Sequence, residues 1–155
     1  MRTAVFALTE AGAQLARRVG LALGDQATLF VSSRHATLGA QTFGRLREAV
    51  QENFHRYDAL VFIMAAGIAV RSIAPYLVSK LEDPAVVVLD EQGRHVISLL
   101  SGHVGGANRL TRALAAALGA EPVITTATDV EGLVAPDALA AELGLFPEPH
   151  AAILA

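Results

Sequence analysis

The sequence contains no cysteine and no tryptophan, and it is poor in charged and aromatic residues. Without cysteine there is no disulfide framework, no thiolate chemistry and no cysteine-based zinc site. Aromatic residues make up only 5% of the chain, the net charge is −3 and no basic run occurs. These absences exclude thiol chemistry and argue against general nucleic-acid binding.

Long hydrophobic runs are also missing, although 53% of the 155 residues are hydrophobic and the mean hydropathy is +0.45. The longest nearly uncharged stretch, residues 59–70, is shorter than the roughly 20 residues that a membrane-spanning helix needs. The apolar run at residues 3–8 is too short for the core of a signal peptide. Parallel strands that are buried on both faces explain the composition more simply. The sequence therefore predicts a cytoplasmic protein without a membrane segment.

Short apolar strands alternate with helical patterns along most of the chain. Apolar runs predict strands at residues 3–8, 27–32, 59–64, 85–89, 94–100 and 122–125. Apolar residues at helical spacing predict helices at residues 13–23, 42–57, 68–78 and 106–118. The helix at residues 68–78 must kink or stop early at Pro75. The turn at residues 90–93 is short, so the strands that flank it are expected to be antiparallel.

This alternation predicts an α/β fold, a three-layer sandwich with a mostly parallel mixed sheet and one antiparallel hairpin. The length fits one such domain, which we assign to residues 1–135. Residues 136–155 are interpreted as a C-terminal helix, tail or linker segment, with a short helix at residues 136–143.

The most informative stretch is Ser-Gly-His-Val-Gly-Gly-Ala-Asn, residues 101–108, which we call the glycine loop. Three glycines let the backbone take positive φ and let a ligand approach the main chain: Gly102, Gly105 and Gly106. A helix is predicted to begin at about Gly106, and its N-terminus suits an anion. The same stretch adds a hydroxyl, an imidazole and an amide, from Ser101, His103 and Asn108.

Two further loops follow predicted strands. Residues 65–71 hold Gly67 and Arg71, and residues 125–129 hold Thr126, Thr128 and Asp129. Ligands of α/β sheets bind beyond the carboxyl ends of the strands, so we expect both loops and the glycine loop to share one edge and form a broad cleft. Structural alternatives remain open: Gly67 for a tight turn, Arg71 as a surface cation, and Thr128 or Asp129 as a helix cap.

Two segments carry a family resemblance: MAAGIAVRSIAPYL, and DPAVVVLDEQGRHVISLLSGHVGGANRLTRALAAALGAEPVITTATD. Together they span about residues 60–129, and they resemble the N-terminal part of the CbiG family, the cobalt-precorrin-5A hydrolases of anaerobic cobalamin biosynthesis. The resemblance implies hydrolysis of the δ-lactone of a corrinoid substrate, with release of acetaldehyde and without an added cofactor. It also implies a partner, because the family's usual chain has a C-terminal domain that exists elsewhere as a CobE-like protein.

The cobalt would arrive inside the substrate. The sequence holds no His-x-x-x-His pair and no carboxylate cluster, so a metal site built by the protein is not expected.

The implied chemistry assigns roles to these residues. Lactone opening needs a base to activate water and donors to hold an oxyanion. His103 is the candidate base and Ser101 would orient it or the water, whereas the structural alternative for His103 is a loop histidine that only bonds to main chain. The amides of residues 105–107 would bind the oxyanion or a substrate carboxylate. The expected substrate-binding residues are Gly67, Arg71, Gly102, Gly105, Gly106, Asn108, Thr126, Thr128 and Asp129.

Two other classes of function remain open at this point. The glycine loop could hold a nucleotide or another phosphate ligand, although it matches neither Gly-x-Gly-x-x-Gly nor a Walker loop. Alternatively, the chain could be a non-catalytic tetrapyrrole-binding or interaction domain that docks a C-terminal partner. An exposed apolar patch and self-association as a homodimer would then be expected.

Overall fold

Residues 1–126 are described by a computed structural model of the chain. Predictions that fall on residues 127–155 lie outside the described part of the chain. They comprise the roles of Thr128 and Asp129, the helix at residues 136–143 and the domain boundary at residue 135.

The described residues form an α/β fold, as predicted. The strands are β1 (Thr3–Ala7), β2 (Ala27–Ser32), β3 (Gln41–Phe43), β4 (Ala59–Ile63), β5 (Ala85–Leu89), β6 (His95–Leu100) and β7 (Glu121–Val123). The helices are α1 (Glu10–Leu23), α2 (Leu46–Asn53), α3 (Ala66–Ile73) and α4 (Ala107–Leu118). Short 3₁₀ turns follow α1, β2 and α3, at Gly24–Gln26, Ser33–His35 and Ala74–Tyr76. None of the described helices is long and apolar enough to cross a lipid bilayer.

All seven strands join one sheet in the order β3-β2-β1-β4-β5-β6-β7. Strands β1 to β5 run parallel, and β6 pairs antiparallel with β5, which confirms the predicted hairpin. Strand β7 is parallel to β6 and therefore also runs against the first five strands. We call the edge where β1 to β5 end the carboxyl edge, and the edge where they begin the amino edge. Strands β6 and β7 end at the amino edge.

Two apolar clusters cover the two faces of the sheet and complete the three layers. One cluster joins alternate residues of β1, β4 and β5 to α1 and α4, and the other joins the remaining residues to α2 and α3. Every residue of these three strands is buried. On the α2 side, the Phe6 ring lies 4.9 Å from Phe30 and 5.3 Å from Phe62, between ring centroids. Each such ring contributes about 1.5–3 kcal/mol on burial, so the sheet is the stable platform for the loops.

The predicted start of the helix at residues 42–57 was wrong. Strand β3 occupies Gln41–Phe43, and α2 begins only at Leu46. Phe43 fits helical spacing, but it packs from an edge strand with its ring 6.3 Å from Phe6. A strand of three residues is too short for alternation to reveal it, so the longer helical pattern absorbed it.

Other boundaries moved by smaller amounts. Helix α1 begins at Glu10 rather than residue 13, because the Thr9 hydroxyl accepts a hydrogen bond of 3.1 Å from the Gly12 amide and caps the helix. Helix α3 stops at Ile73, and Pro75 lies in the 3₁₀ turn that follows, which confirms the early stop.

Candidate functional site

The glycine loop begins with irregular backbone. Strand β6 bulges against β5 just before it ends, since Val86 pairs with Leu100 but Val87 pairs with Ser98. Ser101 follows with φ of 56°, and it is the non-glycine residue with positive φ in residues 1–126. Bulges and left-handed non-glycine residues are held in place only by surrounding contacts, and they concentrate at functional sites.

Ser101 is held by the segment that precedes β5. Its hydroxyl donates a hydrogen bond of 3.0 Å to the carbonyl of Asp83. Asp83 is buried, and its carboxylate accepts a bond of 2.9 Å from the Val78 amide. The hydroxyl proton of Ser101 is therefore used for anchoring, which leaves only its lone pairs for His103 or a water.

The amides at the start of α4 bond within the glycine loop. The Gly106 amide donates to the His103 carbonyl at 3.0 Å, and the Ala107 amide donates to the Ser101 carbonyl at 3.1 Å. The Asn108 amide donates to the Gly102 carbonyl at 3.0 Å. The expectation that the Gly106 and Ala107 amides are open to an oxyanion was therefore wrong. The loop folds back on the helix and satisfies these donors with its own carbonyls.

The glycines of the loop are required by close packing. A Cβ on Gly105 would lie 2.4 Å from Ser101 Cβ, and a Cβ on Gly102 would lie 2.9 Å from Asn108 Oδ1. Gly106 has φ of 85° and forms the N-terminal cap of α4. These contacts give each glycine a structural reason, while their predicted contacts with substrate stay predictions.

Asn108 ties the glycine loop to β6 and to the segment after β7. Its side chain is buried, with 3% exposure for the residue. Its Oδ1 accepts a bond of 2.6 Å from Ser98 Oγ, and its Nδ2 donates a bond of 3.0 Å to Thr126 Oγ1. The structure thus brings together two of the three predicted loops, at the amino edge.

His103 and Arg109 flank this corner on its solvent side. His103 is half-buried, next to the exposed Val104. Arg109 is exposed, and its guanidinium lies close to the loop, since a Cβ on Gly106 would lie 3.5 Å from Arg109 Nη2. The structure therefore places an imidazole in the glycine loop and a guanidinium in the first turn of α4, close to Gly106.

The loop at residues 65–71 lies elsewhere. It follows β4 and starts α3, so Gly67 and Arg71 lie at the carboxyl edge, and Arg71 Nη1 donates to the Gly67 carbonyl at 3.1 Å. The prediction that three loops share one edge was wrong, because β6 and β7 run against β4. The short turn that predicted the antiparallel pair already implied that β6 ends at the amino edge, because reversing a strand moves its end to the opposite edge.

Two residues of the corner were missed by sequence reasoning. Ser98 interrupts the apolar run at residues 96–100 of β6, and that interruption was the available signal. Asp83 precedes Pro84 and β5, and nothing in its local pattern indicates that it fastens the glycine loop.

Two aspartates have shifted pKa values, and both act in the scaffold. The amide and guanidinium of Arg2 bond to Asp58 at 2.8 and 3.2 Å, and they hold the pKa of Asp58 below its ordinary value. Partial burial raises the pKa of Asp90, but hydrogen bonds from the amides of His95, Gln92 and Arg94 outweigh it and lower that pKa overall. Within residues 1–126 no group of His, Asp or Glu side chains is arranged to hold a metal ion.

Comparison with known proteins places this corner inside a recognised sequence family. Residues 48–129 match the family described as cobalamin synthesis G N-terminal. The chain is 52% identical over 141 residues to a cobalt-precorrin-5A hydrolase of Salmonella typhimurium, covering 90% of this chain and 40% of that protein. It is 43% identical over 147 residues to a cobalt-precorrin-5A hydrolase of Priestia megaterium, covering 91% and 39%.

The fold has a solved counterpart as well. A crystal structure of a cobalamin biosynthesis protein G homolog from Sulfolobus solfataricus superimposes with a TM-score of 0.61 at 27% identity, covering 89% of this chain and 39% of that one. The chain spans about two fifths of the length of the curated relatives that it matches. With the matched region covering most of the sheet, α3 and the whole glycine loop, the chain belongs to the cobalamin synthesis G N-terminal family.

Proposed function

We propose that this chain is the N-terminal part of a cobalt-precorrin-5A hydrolase of anaerobic cobalamin biosynthesis, acting in the cytoplasm. The observation that carries the proposal is the 52% identity to such a hydrolase over 90% of the chain, which includes the glycine loop. The rival reading as a nucleotide-binding domain is not favoured, because the relatives carry the name of this hydrolase.

The proposed reaction has two steps. A water that has lost a proton to a base adds to the lactone carbonyl, and the ring C–O bond breaks to leave a carboxylate and an alcohol. Loss of the alcohol proton then drives a retro-aldol step, in which acetaldehyde departs and the electron pair of the broken C–C bond stays on the macrocycle. We propose His103 as the base, because its imidazole lies half-exposed on the glycine loop and histidine is the side chain that most often acts as a general base.

The amino edge is the proposed face for the corrinoid. The Arg109 guanidinium lies beside Gly106 at the start of α4, and we propose it as the contact for a substrate carboxylate. The Thr126 hydroxyl is within the same corner, through its bond to Asn108. The five-residue strands separate the two edges by roughly 17 Å. We therefore leave Gly67 and Arg71, at the carboxyl edge, out of the contacts proposed for the reacting ring.

The proposed partner is the C-terminal, CobE-like domain of the longer relatives. Apolar side chains are exposed on the segment that Ser101 anchors and on the glycine loop, at Leu77, Val78, Leu81 and Val104. Such a patch beside the loop suits a domain that covers the substrate. A homodimer using the same patch is the competing arrangement. We propose no protein-bound cofactor, with cobalt entering only as part of the substrate.

The decisive measurement is acetaldehyde release from cobalt-precorrin-5A. The substrate is added to this chain alone and together with the CobE-like domain, and we expect release when both are present. If a folded chain releases no acetaldehyde in either case, the hydrolase proposal fails.

The role of His103 is tested by His103→Gln. General-base catalysis contributes roughly 100-fold or more, so we expect turnover to fall by about that factor while the fold is retained. His55→Gln is the matched control, because His55 is an exposed histidine between α2 and β4 and is not part of the glycine loop. Equal turnover in the two variants would show that His103 is not the base.

A further inference from the structure

A cleft at the carboxyl edge has no role in the proposed reaction. It has a volume of about 440 Å³ and is formed by the first turns of α1 and the segment that follows β2. Its polar lining comes from Glu10, Gln14, Arg17, Arg34, His35 and Thr37, and we call it the arginine cleft. Its volume falls in the range of about 300–1,000 Å³ that is typical of small-molecule sites.

Local structure brings these side chains together. Glu10, Gln14 and Arg17 are spaced so that they share one face of α1. On the other wall, the Ser32 hydroxyl accepts a bond of 3.5 Å from the Arg34 amide and caps the 3₁₀ turn Ser33–His35. The turn thereby presents Arg34 and His35 opposite the helix. Both walls stand at the ends of the parallel strands β1 and β2, which is the edge where α/β sheets bind ligands.

The charge in the arginine cleft is unbalanced. Among the residues that the structure describes, neither Arg17 nor Arg34 forms an ion pair. Two guanidinium groups therefore face the cleft against one carboxylate, that of Glu10. Guanidinium forks fit the planar oxygens of carboxylate and phosphate groups, and the neighbouring amide and hydroxyl can complete the hydrogen bonds.

We propose that the arginine cleft is a second ligand site, which binds an oxyanion through Arg17 and Arg34 independently of the glycine loop. Its ligand is a molecule with carboxylate or phosphate groups. A ligand here lies roughly 17 Å from the amino edge, the length of a five-residue strand, so it does not share the position of the proposed reacting ring. The lining and charge of the arginine cleft favour an anion whether or not the chain is a hydrolase.

The test is equilibrium binding by calorimetry at low salt. The probes are citrate, inorganic phosphate, and the corrinoid polycarboxylate cobyrinic acid, with cobinamide as a corrinoid whose side arms are amides. The Arg17→Gln/Arg34→Gln double variant is compared with an Arg18→Gln/Arg47→Gln double variant, which removes the same charge from exposed positions outside the cleft.

We expect at least one of the three anions to bind, and its affinity to fall roughly 10- to 30-fold in the cleft variant only. Arg34→Lys should lose affinity as well, because it keeps the charge but not the fork. Among the anions, tighter binding of cobyrinic acid that is weakened in the cleft variant identifies the corrinoid as the source of the oxyanion. Tighter binding of citrate or phosphate identifies a free anion, and either order supports the site.

Two outcomes overturn the proposal. One is the absence of binding heat for all three anions, and the other is an equal loss of affinity in both double variants. If the chain binds the anions but releases no acetaldehyde, the proposal for the arginine cleft holds and the hydrolase proposal fails.

Discussion

Gly105→Ala is the sharpest perturbation of the glycine loop. The added methyl would lie 2.4 Å from Ser101 Cβ and 2.8 Å from the Ser101 carbonyl oxygen. Ordinary contacts of a Cβ begin near 3.4 Å, so the two residues must separate by about 1 Å. Ser101 cannot move away freely, because its hydroxyl is bonded to Asp83 and its carbonyl accepts the Ala107 amide.

The expected cost is about 2 kcal/mol, the middle of the range of about 1–3 kcal/mol for overpacking. For a chain of this length that corresponds to a decrease in Tm of about 4–8 °C. The displaced loop also carries His103, and a shift of about 1 Å in a catalytic group can cost roughly 100-fold in rate. We therefore expect a moderate loss of stability and a larger loss of acetaldehyde release.

The assay is thermal unfolding followed by circular dichroism, together with acetaldehyde release. Gly44→Ala is the matched control, because nothing lies within 4 Å of a Cβ there. We expect that control to stay within about 0.5 kcal/mol of the wild type. If Gly105→Ala unfolds at the same temperature as Gly44→Ala, the close packing of the glycine loop is refuted.

Three further predictions concern the scaffold. Asn108→Ala removes two buried side-chain hydrogen bonds and should cost about 2–3 kcal/mol in urea unfolding; a cost below about 0.5 kcal/mol would contradict its bridging role. Thr111→Val should be neutral or stabilising by about 1 kcal/mol, since its buried hydroxyl has no hydrogen-bond partner within the described chain, and a clear destabilisation would contradict this. Asp90 has a lowered pKa in the folded state, so it stabilises the fold above the unfolded pKa of about 4, and that contribution is lost as pH falls through the folded pKa. The stability difference between wild type and Asp90→Asn should accordingly shrink below about pH 4, and a pH-independent difference would contradict it.

Much of the sheet could be predicted from the sequence. Residues 59–63 and 85–89 are uninterrupted apolar runs because β4 and β5 are covered by helices on both faces. The antiparallel pair was predictable from the turn at residues 90–93, where Gly93 has φ of 66° and its amide bonds to the Asp90 carbonyl at 2.9 Å. Strand β3 was not predictable, since a three-residue edge strand depends on its neighbour β2 rather than on its own pattern.

The candidate site was predictable in composition but not in arrangement. The glycines of the loop indicated positive φ, and Gly106 has it. The close packing of Gly105 against Ser101 was not predicted, because the glycines were interpreted as giving a ligand access to the main chain. The hydrogen bonds from the first amides of α4 to the carbonyls of the glycine loop could not be predicted. Every residue has a main-chain carbonyl, so the sequence does not show which of them accept these bonds. The bridge from Ser98 through Asn108 to Thr126 likewise joins residues that are far apart along the chain.

The sequence by itself determined the α/β class, the antiparallel hairpin and the loop on which the proposed chemistry depends. Those features follow from local periodicity, turn length and the steric freedom of glycine, which are properties of neighbouring residues. The predicted hairpin already implied the reversal of β6, and the tertiary structure decided that β7 pairs with β6 and brings Thr126 to the glycine loop. The reversal of β6 and β7 sends the glycine loop and Thr126 to the amino edge and leaves Gly67 and Arg71 at the other. The direction of a strand is set by its pairing within the whole sheet. Loops that each follow a predicted strand in the sequence can therefore lie at opposite edges of the sheet.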